Sequence, residues 1–500
     1  MSRAPAQDIY PRISEFKKLA RKGNVVPVFT HILADRDTPV SIYEKLAGAS
    51  PYACLLESIE GGERWGRYSF IATSATTIIA INGRTVTVKR NNRVVRTETT
   101  ANPLALLQRL LKSYRPVTIP HLPRFWGGTI GFMGYDMVRT IERLPDRHAP
   151  MPGIPDGLFF VSDHVVIFDH VSHKAYVVSC VELKKGMKLD RAYRAAVRTI
   201  NDTVKRIARR TTIPHPRPVR KHAALVPNMK KKDFLKAVRT AKQYIRNGDI
   251  IQTVLSQRFS LNLNVKPFEV YRALRVINPS PYLFYLTMKD LCLIGSSPEV
   301  LVRKEGSRAI IRPIAGTRKR GKSADQDARL ERALLKDPKE LAEHVMLVDL
   351  ARNDIGKVCR YDSIRLPEIK VIERYSHVMH IVSSVVGELK QGRDAIDLLA
   401  ATFPAGTVTG APKIRAMEII DELENRRRGP YAGAVGYFSF SGNMDMAITI
   451  RTIVVSGKTA WLQAGAGIVA DSIPAREYTE TKNKAAALVE AIRLAERGMT

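Results

Sequence analysis

Three apolar runs, residues 432–440, 445–455 and 459–469, follow one another with only Ser441-Gly442-Asn443 and Ser456-Gly457-Lys458 between them. Turns that short join antiparallel neighbours, because a parallel pair needs a crossover of about a dozen residues or more. A doubly wound parallel sheet is therefore excluded for this region. Further strands are expected at 251–260 and 282–288, with helices at 230–247, 326–356, 393–401, 411–426 and 474–497. Nearer the N-terminus, residues 68–98 read as a β-meander turning at Asn82-Gly83 and Asn91-Asn92, 101–114 as a helix, and 157–180 as a hairpin. Strands joined by hairpins, with helices in separate blocks, give an α+β fold class.

The 500 residues suit two to three domains, and 45% hydrophobic residues suffice for a packed core. Residues 211–228 carry four prolines and little apolar periodicity, so they read as a linker between a region 1–210 and a domain 229–500. Lys and Arg number 80 against 48 Asp and Glu, a net charge of +32. Twelve of those cations and one acid, Asp233, fall within 205–240. Such a field attracts anions, but no zinc finger, RNP-type strand or basic heptad accompanies it, so nucleic acid is not an expected partner. The four cysteines are far apart and form no CxxC pair, which suits a reducing cytoplasm. No apolar run reaches the ~18 residues of a membrane span, and the N-terminus lacks the apolar core of a secretory signal.

Two helix starts carry the same device. Asp337-Pro338 precedes Glu340 and Glu343, and Ser472 with Pro474 precedes Glu477 and Glu480. Carboxylates three apart share one helix face. If the two faces oppose each other they form an oxygen-rich site suited to Mg²⁺, which takes one or two carboxylates plus substrate oxygens and water. Either pair alone is better read as complementing the positive end of a helix dipole, since ExxE is common on helices. Gly465-Ala466-Gly467 and the stretch from Gly406-Thr407 to Gly410 bring glycine-rich backbone next to helix starts, where an anion is welcome. No GxxxxGK[ST] exists, so phosphate binding of the P-loop kind is excluded. Arg451 interrupts an apolar strand and needs a carboxylate partner, internal or bound. Lys482 follows Glu480 closely, and His380 sits in an apolar segment. Together these residues point to an Mg²⁺-dependent site for a small polycarboxylate.

Long stretches carry a resemblance: PIAGTRKRG (313–321), DPKELAEHVMLVDLARNDIG (337–356), YSHVMHIVSSVVGEL (375–389), FPAGTVTGAPKIRAMEIIDELE (403–424), RGPYAGAVGYFSF (428–440), AITIRT (447–452) and QAGAGIVADSIPAREYTETKNKA (463–485). In this order they resemble the chorismate-utilising enzyme family, and within it the synthase subunits that make anthranilate. The resemblance implies two antiparallel sheets in a sandwich flanked by helices. It also implies Mg²⁺-dependent conversion of chorismate and ammonia to anthranilate and pyruvate, a lyase step that opens tryptophan biosynthesis. Glu343 and Glu480 match metal ligands, with Glu340 and Glu477 in support. Tyr431, Arg451, Gly465, Ala466, Gly467 and Lys482 match positions that bind the substrate's carboxylates, and Gly316 and Thr317 match a further contact. His380 and Thr407 match residues near the departing C4 hydroxyl, and His380 is the expected general acid.

Two positions separate this chain from relatives with other products. Ala315 stands where aminodeoxychorismate synthases carry a nucleophilic lysine, and Gln252 where isochorismate synthases carry a lysine that activates water. With neither, a diffusing amine is the expected nucleophile. LLES (55–58), with Ser58, and NPSPYLFYL (278–286), with Pro279, Ser280 and Pro281, resemble a regulatory tryptophan site, so feedback inhibition is implied. No glutaminase apparatus is present, so glutamine use would require a separate amidotransferase subunit.

Overall fold

The computed structural model describes residues 8–48, 50–58, 66–120, 122–209, 218–219, 223–375 and 378–499. Both C-terminal turns close hairpins, with Gly442 and Gly457 at φ of +84° and +57°. The middle run, however, does not stay in one piece. It breaks at 449–451 into strands Met444–Ile448 and Thr452–Ser456. The first pairs with Ala434–Ser439 and the second with Thr459–Ile468, and the two hairpins belong to different sheets. Arg451 makes the crossing at φ +49°, a left-handed conformation uncommon for a residue with a long side chain. The three expected strands are therefore four, and the apolar run is continuous because both halves are buried.

Among the described residues two antiparallel sheets of twelve strands each result. Both draw on strands from either side of residue 210: Tyr52–Glu57 pairs with Tyr282–Met288 in one, Gly128–Met133 with Ala434–Ser439 in the other. The sheets face each other across one apolar core, where Phe70, Phe284 and Leu293 of the first meet Ile79, Phe132 and Met446 of the second. The first sheet's other face is covered by helices Pro39–Ala47, Leu189–Ile207, Pro267–Ile277 and Pro474–Glu496 through Ile42, Ile200, Leu274 and Leu488. Each such side chain contributes roughly 1.5–3 kcal/mol by leaving water.

The same sheet-switching corrects other expectations. The meander is confined to Thr77–Asn82, Thr85–Arg90 and Arg93–Thr99, while Tyr68–Ala72 lies in the opposite sheet. The run 157–180 is three strands rather than a hairpin, because Gly157–Ser162 and His164–Asp169 part at Asp163 into different sheets. The helix expected at 326–356 is two, Ala324–Lys336 and Pro338–Gly356, interrupted where Asp337 caps the second by accepting from the Lys339 and Glu340 amides. Of the proline-rich stretch 211–228 most lies outside the described residues, while Val226–Pro227 adds a short strand against Phe259 and Ser260. No helix among the described residues is long and apolar enough to cross a membrane.

Candidate active site

A cleft of about 820 Å³ opens where Arg451 crosses between the sheets. The strand Thr459–Ile468 supplies one wall through Gly465 and Gly467. Gly465 has no room for a side chain, since a Cβ there would come within 2.7 Å of Tyr431 Oη and 2.9 Å of Val254. The strand Ile314–Lys319 supplies Gly316, at φ +64°, and Thr317. A Cβ on Gly316 would meet Glu340 Oε2 at 3.2 Å, so this glycine lets the backbone approach the acidic helix. Helices Pro338–Gly356 and Pro474–Glu496 bring Glu340, Glu343, Glu477 and Glu480 to the same cavity. The two ExxE faces therefore do oppose each other. Only the first helix has the expected cap: Ile473, not Ser472, occupies the N-cap of the second, and Ser472 Oγ accepts from the Val469 amide at 3.1 Å.

The carboxylates feel one another. Burial, then Glu340 and Glu480, hold the Glu343 carboxyl above its usual range. Burial and Glu480 do the same to Glu477. Two cations offset the cluster: Arg318 lies 2.9 Å from Glu340, and Lys484 lies 2.7 Å from Glu480 while donating to the Gly465 carbonyl at 3.1 Å. Among the described residues no three His, Cys, Asp or Glu side chains are gathered closely enough to hold a metal unaided.

Across the cleft stand cationic and neutral groups. Arg451 is half-buried in the wall, where burial lowers its pKa, and its Nη1 donates to Asn278 Oδ1 at 3.5 Å. Among the described residues it has no carboxylate within ion-pair reach. Tyr431 is buried, its hydroxyl pushed up to about 12 by burial, and it stays a neutral donor. His380 Nδ1 lies 3.1 Å from the Gly316 carbonyl and 3.0 Å from Thr317 Oγ1. A carbonyl only accepts, so Nδ1 carries a proton in this contact.

Two residues expected here face elsewhere. Lys482 is solvent-exposed outside the cleft, and the cleft's lysine on that helix is Lys484. The reason is helical spacing: a residue two beyond Glu480 points away from it, one four beyond shares its face. The Ala466 side chain turns into a small apolar cluster with Leu255 and Ile468, leaving only its backbone on the glycine strand. Gln252 and Ala315 both line the cleft, so neither of the positions that hold lysine in the other synthases supplies a base here.

The sequence reading also missed Glu299. It borders the cleft and is otherwise enclosed by protein; burial pushes its carboxyl up to about 8, with the Thr407 hydroxyl beside it pulling the other way. Among the described residues Thr407 Oγ1 has no other hydrogen-bond partner. The signal was a lone acid inside the strand-like LCLIGSSPEVLV. Of the effector set, Pro279, Ser280 and Pro281 border the cleft, and Pro281 also borders a separate cavity of about 50 Å³ with Ser58, Tyr282 and Tyr437.

Comparison with known proteins agrees with this geometry. A family model described as chorismate binding enzyme matches residues 52–490. The chain belongs to the chorismate-binding enzymes. It is 49% identical to anthranilate synthase component 1 of Aquifex aeolicus (strain VF5), covering 97% of this chain and 98% of that one. With the same component of Acetivibrio thermocellus it shares 46%, again over 97% and 98%. The solved anthranilate synthase component I of Streptococcus pneumoniae TIGR4 superposes with a TM-score of 0.75 at 36% identity, covering 92% of this chain and 98% of that one. The menaquinone-specific isochorismate synthase of Escherichia coli shares the fold alone, at 20% identity and a TM-score of 0.69 over 96% and 98%.

Proposed function

We propose that this member of the chorismate-binding enzymes converts chorismate and ammonia to anthranilate and pyruvate, as component I of an anthranilate synthase. The observation that carries the reading is one cleft holding a half-buried guanidinium with no carboxylate in ion-pair reach among the described residues, two facing pairs of carboxylates and a carboxyl that burial raises to about 8. Arg451 and Lys484 grip substrate carboxylates, with Tyr431 and the backbone around Gly465 and Gly467 as further donors. Glu299, protonated below about pH 8, gives a proton to the C4 hydroxyl so that it leaves as water, with Thr407 alongside. His380, with Nδ1 held by the Gly316 carbonyl, lines the same cleft as a second proton-transfer group. Ammonia attacks C2 because neither Gln252 nor Ala315 offers an internal nucleophile or a base for water.

The donor set fits Mg²⁺. Glu343 and Glu480 would hold it, with Glu340 and Glu477 behind, and its positive charge would stabilise electron density moving onto the ring carboxylate. The cation would also relieve the mutual repulsion that adds to burial in raising Glu343 and Glu477. Ammonia from glutamine would come from a separate amidotransferase subunit. The cavity beside Ser58 suits a regulatory ligand such as tryptophan. At about 50 Å³ it has room for only a few waters, so occupation must part its walls. Because Pro281 also borders the cleft, that displacement reaches the substrate site, the differential binding that feedback requires.

The test is product identification after incubating the chain with chorismate, Mg²⁺ and ammonium salts. Anthranilate is expected, and glutamine without a second subunit is not expected to replace ammonium. Aminodeoxychorismate or isochorismate as the end product would overturn the reading.

A further inference from the structure

Glu299 must recover a proton in every cycle, and the cleft is not the only space it borders. A second cavity of about 30 Å³ shares Glu299, Thr407 and Leu347 with the cleft and is also lined by Leu350, Ala351 and Asp354. At roughly 10–15 Å³ per water it has room for two. Asp354 is 7% exposed, and its Oδ2 accepts from Lys413 Nζ at 2.6 Å. Its other oxygen lies 3.6 Å from Lys357 Nζ, a side chain 54% exposed, which leads to solvent. A buried ion pair is a weak stabiliser because desolvation offsets much of the attraction, so its place on this cavity needs another reason. The Thr407 hydroxyl, on the wall common to both cavities, lies beside Glu299 and has no other partner among the described residues, which leaves it capacity for an ordered water.

We propose that the small cavity holds a short water chain through which Asp354 returns a proton to Glu299; this rests on Glu299 being the acid of the reaction above. In the forward step the Glu299 carboxyl gives its proton to the C4 oxygen, the C–O bond breaks with its electron pair on oxygen, and water leaves. The nitrogen that has bonded to C2 releases a proton to solvent. The Glu299 carboxylate then takes a proton from a cavity water, that water takes one from Asp354, and Asp354 takes one from solvent near Lys357. One proton leaves and one enters, so charge balances. Burial holds the Asp354 carboxyl above its usual range against the pull of Lys413 and Lys357. The charged groups about the pair are Lys413, Lys357 and, on the far side of Lys413, Glu142.

The test uses the full chain with chorismate, Mg²⁺ and ammonium. Asp354→Asn blocks the relay, and Asp354→Asn combined with Lys413→Met does so without stranding a buried cation. In both, kcat is expected to fall about tenfold, part of the 10²–10⁴ a general acid supplies, with KM for chorismate within about twofold of wild type. Raising imidazolium buffer at constant pH and ionic strength should restore kcat, because a small acid entering the cleft can reprotonate Glu299 directly. Packing damage is not repaired by a proton donor. Unchanged kcat in the double variant, or a loss indifferent to buffer acid, would overturn the relay. A wild-type chain that makes no anthranilate would instead remove the reading of the site.

Discussion

Replacing Glu299 with Gln keeps the side chain's size and a hydrogen-bond donor but removes the transferable proton. Lifting this carboxyl from 4.5 to about 8 makes ionisation in the fold costlier than in the unfolded chain by up to about 5 kcal/mol, at roughly 1.4 kcal/mol per pH unit. Two consequences follow from one shift. Below about pH 8 the acid is loaded, and above it the loaded fraction falls tenfold per pH unit. Wild-type kcat, corrected for the growing fraction of free ammonia, should therefore be level up to about pH 8 and then decline. Glu299→Gln should lower kcat by about 10²–10⁴-fold and abolish the break. The stability effect has a definite sign. A carboxyl raised in the fold is bound more tightly to its proton there, so its contribution is complete below the unfolded value near 4.5 and is lost as pH rises through about 8. Relative to wild type, the Gln variant should gain stability between those limits as pH rises. Anthranilate fluorescence and urea unfolding across that range measure both. A variant within about threefold of wild-type kcat, or a wild-type profile with no break near 8, would refute the assignment of the acid.

Lys484→Ala should raise KM for chorismate at least about tenfold, the scale of one lost charge-assisted contact, whereas Lys482→Ala should leave both constants unchanged; steady-state kinetics of the pair decides which lysine serves the cleft. Glu343→Gln and Glu480→Gln should each nearly abolish turnover with an intact circular dichroism spectrum, and full activity at limiting Mg²⁺ would reduce these residues to helix-dipole partners. Ser58→Arg should fill the small cavity and relieve inhibition by tryptophan while uninhibited turnover persists. An inhibition curve identical to wild type would detach Ser58 from regulation.

What the sequence made legible follows from where its signals are local. Turn chemistry at Asn82-Gly83, Ser441-Gly442-Asn443 and Ser456-Gly457-Lys458, and the cap at Asp337-Pro338, depend on neighbours in the chain, and they fold as read. The acidic pairs were legible because i,i+3 spacing fixes a helix face before any tertiary structure exists. Sheet membership was not, because a strand buried on both faces reads as one apolar run whether or not it changes sheet at its middle. Runs 157–169 and 444–456 both hide such a change. The lysine error has the same root in reverse: Lys482 and Lys484 are two apart in sequence, yet the 3.6-residue turn sends one to solvent and the other to Glu480 and Gly465. Glu299 was illegible for a deeper reason. Nothing in its own sequence raises its pKa; burial does so, created by strands and helices from distant parts of the chain. Arg451 joins both cases. Its local signal, a cation in an apolar strand, marked it as functional, but only the crossing between sheets shows how a left-handed backbone turns that guanidinium into the cleft. The break in the strand and the placing of Arg451 on the cleft are thus one feature, and if that guanidinium grips the substrate as proposed, shortening Arg451 should damage substrate binding more than it damages the fold.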